Sequence, residues 1–281
     1  MLKPAGLPPQ ISALERTAVF GVLNVTPDSF SDGGMHSSTI DAVTHGLALM
    51  QQGADVIDVG GESTRPGAER VSEDEELARV IPVIKELVNN GATVSIDTMR
   101  SQVAREAVQS GAQIVNDVSG GLADANMFKV VAELQVPYIL MHWRGHSTEM
   151  EKLSHYQDVT VEVISELQTR IQAAEGAGIS LDYLVVDPGI GFAKNSEHNW
   201  SLLKNLEQFQ NLKCPLLIGA SRKRFIGELL ADEQGPRDVL NRDFASTALT
   251  TVLAERNVWA VRVHQVQAAR DAIAVIEALR K

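Results

Sequence analysis

The run Val19-Phe20-Gly21-Val22-Leu23-Asn24-Val25-Thr26-Pro27-Asp28-Ser29-Phe30-Ser31-Asp32-Gly33-Gly34 passes from an apolar segment straight into polar side chains, one proline and paired glycines. Its first part reads as a buried strand and its second as the loop at that strand's end. A strand end is held rigidly while the loop beyond it reaches outward, so this is where an α/β protein places chemistry. The same transition recurs. Asp58-Val59-Gly60-Gly61-Glu62-Ser63-Thr64-Arg65-Pro66-Gly67, Ser95-Ile96-Asp97-Thr98, Asn116-Asp117, Met141-His142, Asp187-Pro188-Gly189, Gly219-Ala220-Ser221-Arg222-Lys223 and Arg262-Val263-His264 each end an apolar run. The pattern describes one site assembled from many strand ends.

Apolar runs bounded by turn residues predict eight strands: 19–23, 56–59, 93–96, 113–115, 138–141, 183–186, 216–218 and 260–263. Helical spacing predicts helices over 39–52, 72–90, 102–110, 125–134, 159–175, 200–209, 243–255 and 267–279. Ser72-Glu73-Asp74-Glu75 carries a capping-box signature, and Gly53 and Gly111 follow their helices as C-caps. Strict alternation implies parallel strands with right-handed crossovers. Eight such units, undivided by a linker, predict a single (β/α)8 TIM barrel over residues 1–281. In a closed barrel all strand C-terminal ends open on one face, whereas an open sheet gathers only those at its switch point.

The 281 residues are 44% hydrophobic and 22% charged, a globular composition. With 36 acidic and 25 basic side chains the formal charge is −11. That sign argues against general nucleic-acid or membrane-surface binding but leaves room for a local anion pocket. One cysteine, Cys214, forms no internal disulfide. Met1-Leu2-Lys3-Pro4-Ala5-Gly6-Leu7-Pro8-Pro9 lacks the apolar core of a signal peptide, and no apolar run approaches bilayer-spanning length. A cytoplasmic location is expected.

Asp97, Asp187 and Asn116-Asp117 could simply cap the helices that follow them. Gathered at one barrel mouth, carboxylate and amide instead suit a flat heterocycle with an amidine-like edge. Phe30, aromatic in a polar loop, needs something to cover, and a planar ligand is one candidate. Ser221-Arg222-Lys223-Arg224 reads as a solvated patch or as an anion site opening a helix, where cations are otherwise disfavoured. Arg262, inside a Val/Ala run, needs a partner because an unpaired buried guanidinium is costly. His142 and His146 have metal-helix spacing, but Gly145 between them argues against zinc.

Taken together, these motifs resemble the dihydropteroate synthases, the folate-pathway enzymes that sulfonamides inhibit. The similarity covers nearly the whole chain and is most specific in 23–34 and 60–67; details of 142–144 and 187–194 lean towards actinobacterial members. The resemblance implies condensation of 6-hydroxymethyl-7,8-dihydropterin diphosphate with 4-aminobenzoate. By position it puts Asp97, Asn116, Asp187 and Lys223 around the pterin, with Arg262 stacked on the ring and facing the diphosphate. Asn24 falls beside the diphosphate and its Mg2+, and His264 on the phosphates. Thr64, Arg65 and Pro66, with Phe30, Phe192 and Ser221, shape the aminobenzoate side. Asp32 closes over the site and joins Asp97, Lys223 and Arg262 as a catalytic residue. A homodimer through the last helices is implied as well.

The same resemblance implies a dissociative, SN1-like displacement, since the aryl amine is the nucleophile and diphosphate a good leaving group. Two alternatives share the pterin chemistry. A methyltetrahydrofolate-binding methyltransferase domain would not need Thr64-Arg65-Pro66 or the Arg262/His264 pair. A non-catalytic pterin-binding paralogue would show decay of the anion-side residues, and none is visible in the sequence. One departure stands out: many members carry serine where this chain has Arg224.

Overall fold

A computed structural model describes residues 1–26, 34–62, 71–145 and 152–281, with 34–38 as backbone alone. Eight parallel strands, β1 (Ala18–Asn24), β2 (Val56–Gly60), β3 (Val94–Asp97), β4 (Ile114–Asp117), β5 (Tyr138–Met141), β6 (Leu184–Asp187), β7 (Leu217–Ile218) and β8 (Ala260–Val263), run in the order β6-β5-β4-β3-β2-β1-β8-β7. A Val186–Leu216 bridge joins the two ends of the sheet, and Val186 N donates to Pro215 O at 2.9 Å. This is the expected (β/α)8 barrel.

Helix α1 (Pro9–Ser12) precedes the barrel. Around it run α2 (Gly34–Gln51), α3 (Glu73–Asn89), α4 (Ser101–Gln109), α5 (Met127–Leu134), α6 (Val159–Gly176), α7 (Ser196–Lys204), α8 (Arg224–Leu229), α9 (Asp243–Glu255) and α10 (Val266–Leu279). Ser72 caps α3 by accepting from Glu75 N, as the capping signature predicts. The helix expected over 200–209 instead starts at Ser196 and ends at Lys204. Asn195 caps it in a box whose third residue is His198 rather than the usual Glu or Gln, and a 3₁₀ turn, Leu206–Leu212, follows.

Strand side chains alternate between two environments. Ile57, Val59, Val94, Ile96, Val261 and Val263 belong to the large core shared with the helices. Phe20, Val56, Ile114, Val185, Leu217 and Ala260 fill the barrel interior, where Ile11 of α1 and Trp259 join them as a plug at the strands' N-terminal ends. Further along the strands this inward set turns polar. Asp58 is in register with Val22 and Ser95, Asp97 with Gly60 and Asn116, and Asp187 with Met141. An apolar plug beneath and polar residues above give the barrel one chemical face.

Candidate active site

At the strands' C-terminal ends lies a cavity of about 630 Å³, within the range of small-molecule sites. Asn24, Phe192, Ser221, Lys223, Arg262 and His264 line it. Arg262 is its electrostatic centre. Nε donates to Asp58 Oδ2 at 2.5 Å and Nη2 to Asp97 Oδ2 at 2.6 Å. The partner that Arg262 required is therefore a pair of buried carboxylates, and Asp58, quoted in the sequence only as part of a loop motif, is the one left out of the expected site. Asn116 Nδ2 donates to the same Asp58 oxygen at 3.2 Å. Among the described residues Asp58 Oδ1 and Ser95 Oγ are buried with no hydrogen-bond partner, so these groups retain unused capacity. Burial pushes the Asp97 carboxyl above its usual range; Arg262 opposes this and Asp58 adds to it. Burial opposes the Arg262 charge, but Asp58 and Asp97 raise its pKa above the usual value.

Asp187 forms the far side of the floor. Its Oδ1 accepts from Gly189 N at 2.7 Å, and burial raises its pKa to about 6. The chain then turns through Gly189 and Gly191, both at positive φ (68° and 81°). A Cβ on Gly189 would lie 2.3 Å from the backbone His142 O, so glycine is needed there for conformation and for space, while at Gly191, where only the flexible Lys223 side chain is near, the positive φ is the reason. Lys223 packs across this turn with Nζ 4.2 Å from the centre of the Phe192 ring. Burial and the nearby Arg262 lower its pKa to about 8.

Beneath the turn sits Lys194, whose Nζ lies 2.9 Å from His142 Nδ1, 3.1 Å from Gly189 O and 3.0 Å from Phe192 O. His142 Nε2 in turn lies 2.9 Å from Glu166 Oε2. A carboxylate at one ring nitrogen and an ammonium at the other fix the neutral tautomer with the proton on Nε2. Burial and Lys194 lower the His142 pKa to about 4, in agreement. Burial works against the Glu166 charge, yet hydrogen bonds from His142 and Arg144 hold its pKa at about 2.

The basic cluster at 221–224 divides. Ser221 Oγ lies 3.1 Å from His264 Nδ1 and orients that ring. Burial, with Arg222, Arg262 and Lys223 nearby, lowers the His264 pKa to about 3, so it meets a ligand as a neutral imidazole. Arg222, at φ 61°, makes a bidentate pair with Asp243 at 2.6 and 2.8 Å. Arg224 is 74% exposed and pairs with Glu228 one turn on. Helix α8 has only six residues, so the positive charge presented here comes from Lys223 rather than from a helix dipole.

Asn116 and Asp117 point to opposite faces. Asp117 accepts from Ser119 N, Ser119 Oγ, Gly121 N and Tyr138 Oη at 2.6–2.7 Å and so shapes the loop after β4. For this residue the local structural role holds. Arg100 binds Glu62, Glu76 and Val71 O. Phe30, Asp32, Thr64, Arg65, Pro66 and His146 lie outside the described residues. Among the described residues no group of three or more His, Cys, Asp or Glu could hold a metal ion. No helix among them is long and apolar enough to cross a membrane.

Residues 20–264 match the family described as pterin binding enzyme. The chain is 50% identical over 268 residues to the dihydropteroate synthase of Mycobacterium leprae, covering 95% of this chain and 94% of that one. It is 44% identical over 266 residues to the Escherichia coli K12 dihydropteroate synthase, covering 94% and 92%. A solved Xanthomonas albilineans dihydropteroate synthase with 4-aminobenzoic acid is similar at TM-score 0.87 and 45% identity, covering 95% and 94%. The Yersinia pestis enzyme in a sulfonamide drug complex is similar at TM-score 0.88 and 38% identity, covering 99% and 98%. The chain thus belongs to the pterin-binding enzymes, a family into which the acid-floored barrel fits. Within that family it stands among the dihydropteroate synthases, which are transferases.

Proposed function

We propose that this chain joins 6-hydroxymethyl-7,8-dihydropterin diphosphate to 4-aminobenzoate by a dissociative, SN1-like displacement, giving 7,8-dihydropteroate and pyrophosphate. One observation carries the reading: buried Asp97, Asn116 and Asp187 gather at the strand ends next to Arg262 and Lys223, the two cations that line the cavity. The floor accepts and donates as a pterin's amidine edge requires. Relatives solved with 4-aminobenzoic acid and with 7,8-dihydropteroate support both ends of the reaction. Ser221, Lys223, Arg262 and His264, whose loss would mark a non-catalytic relative, are all present at the cavity.

In the displacement the methylene C–O bond breaks and its electron pair leaves with the diphosphate. The aryl amine nitrogen then attacks the methylene carbon and gives up a proton. Arg262 balances the leaving-group charge, Lys223 stays on the pterin side beside Asp187 and Asp97, and neutral His264, held by Ser221, donates one hydrogen bond. Ionised Asp97 and Asp187 steady the cation that develops on the ring. Asn24, at the end of β1 and on the cavity wall, offers a neutral amide oxygen, a hard donor that fits Mg2+. A metal with so few protein ligands would arrive with its diphosphate. Asn24 would hold it there, and its chemistry would be charge neutralisation on the phosphate oxygens.

A homodimer is part of the proposal. Val239, Leu240 and Phe244 (94% exposed) put apolar surface beside α9, and Val275 and Leu279 do so on α10. Exposed apolar residues on these last helices support an interface there. A cytoplasmic location accompanies it, supported by a single buried Cys214 and by bacterial relatives.

The test is pyrophosphate release with and without 4-aminobenzoate. Release coupled one-to-one to dihydropteroate supports the reading, and absence of product overturns it. The dissociative step is tested by positional oxygen exchange in labelled diphosphate without 4-aminobenzoate. No exchange, together with a methylene isotope effect near unity, contradicts it.

A further inference from the structure

Lys194 carries a role that substrate binding does not account for. It lies in the cavity wall, yet each of its three N–H donors already has an acceptor: His142 Nδ1 on the segment after β5, and Gly189 O and Phe192 O on the turn after β6. It has no donor left for a ligand. The two carbonyls bracket the turn that holds both ends of the binding surface. At one end Gly189 N fixes Asp187 Oδ1, and at the other Phe192 lies under the Lys223 ammonium. The third contact runs through His142 to Glu166 on α6, and Arg144 grips the same carboxylate with Nη2 while bonding His155 O with Nη1. His142 N also donates to Asp187 O at 2.8 Å, so the two strand ends are bolted through backbone and side chain together.

We propose that Lys194 is a positioning residue that clamps the Gly189–Phe192 turn, and thereby sets the Phe192 face on which 4-aminobenzoate rests. The inference depends on the dihydropteroate synthase reading of the cavity. Burial lowers the Lys194 pKa to about 7 while Asp187 and Glu166 favour its charge, and in the charged form its single nitrogen reaches three divergent acceptors at once, which neither a hydroxyl nor an amide can do. Loss of the cation frees two carbonyls and one imidazole nitrogen, leaving the His142 N to Asp187 O bond and the packing of Phe192 with Met141 to hold the turn to β5.

The experiment is a kinetic double-mutant cycle on the full chain, with Lys194→Met, Phe192→Ala and the double variant. Thermal unfolding is recorded for each. Lys194→Met is expected to raise KM for 4-aminobenzoate roughly tenfold, as contacting residues couple, with a smaller change in kcat and in KM for the pterin diphosphate. On the Phe192→Ala background the same change should add almost nothing. A purely structural lysine would lower Tm and the active fraction but leave both KM values alone. If wild type turns over and Lys194→Met leaves KM for 4-aminobenzoate unchanged, or if the two substitutions simply add, the proposal is overturned. If Lys194→Met does not fold, the same cycle with Lys194→Arg decides, because it keeps the charge but not the three-way reach. Failure of wild type to turn over would instead count against the reading of the site.

Discussion

Replacing Asp58 with asparagine tests the central ion cluster where its consequences separate most cleanly. Asp58 is fully buried and takes both Arg262 Nε and Asn116 Nδ2 on one oxygen. Asparagine keeps an acceptor of nearly the same shape but removes the charge, so the cost is that of weakening one buried charged hydrogen bond, about 1–3 kcal/mol. For a chain of this size that predicts a fall in Tm of about 2–10 °C. The larger effect is on catalysis. Arg262 loses its Nε anchor and turns towards Asp97 alone, and a misplacement on the order of 1 Å costs up to about 10²-fold in rate. There is a third readout. Asp58 is one of the groups that raise the Asp97 pKa, so neutralising it lets Asp97 ionise at lower pH. The acid flank of kcat/KM, measured by pyrophosphate release over a pH series, should therefore move to lower pH while kcat drops. If both stay at wild-type values, Asp58 does not position Arg262 and the reasoning fails.

Other consequences follow from the same geometry. The kcat/KM profile for the pterin diphosphate should rise as pH climbs through about 6 to about 7, where Asp187 and then Asp97 ionise, and fall above about 8, where Lys223 loses its proton; Asp187→Asn should remove its share of the acid flank. Asp117→Asn strips charge from a carboxylate with four donors but no place in the cavity, so urea denaturation should show a loss of about 2–4 kcal/mol, while kcat/KM of the folded fraction stays near wild type. Arg224→Ser removes an exposed pair worth about 0.3–0.5 kcal/mol, so Tm should hold within measurement error. Any effect of that substitution should appear as parallel shifts in KM for 4-aminobenzoate and in inhibition by a sulfonamide.

The strands were readable to within a residue or so at most ends because each is a short apolar run closed by turn residues. The same runs conceal which side chains face inward. Asn116 and Asp117 look equivalent along the chain, but the pleat sends the first into the barrel and the second among Ser119, Gly121 and Tyr138. Asp58 could have been found by parity, since it stands two before Gly60 in the register that carries Asp97 and Asn116, and Arg262 demanded a partner. The split of the 221–224 cluster depends on Asp243 and Glu228, which no local pattern ties to it. Lys194, His142 and Glu166 come from three separate elements and meet only in the fold. The first turn of α7 was missed for a plainer reason: His198 fills the place where Glu or Gln announces a capping box.

The most direct measurement is a crystal structure with the dihydropterin diphosphate bound. The account predicts the bicyclic ring on Asp97, Asn116, Asp187 and Lys223, with its phosphates against Arg262 and His264. A ring seated elsewhere, or phosphates directed away from Arg262, would contradict it.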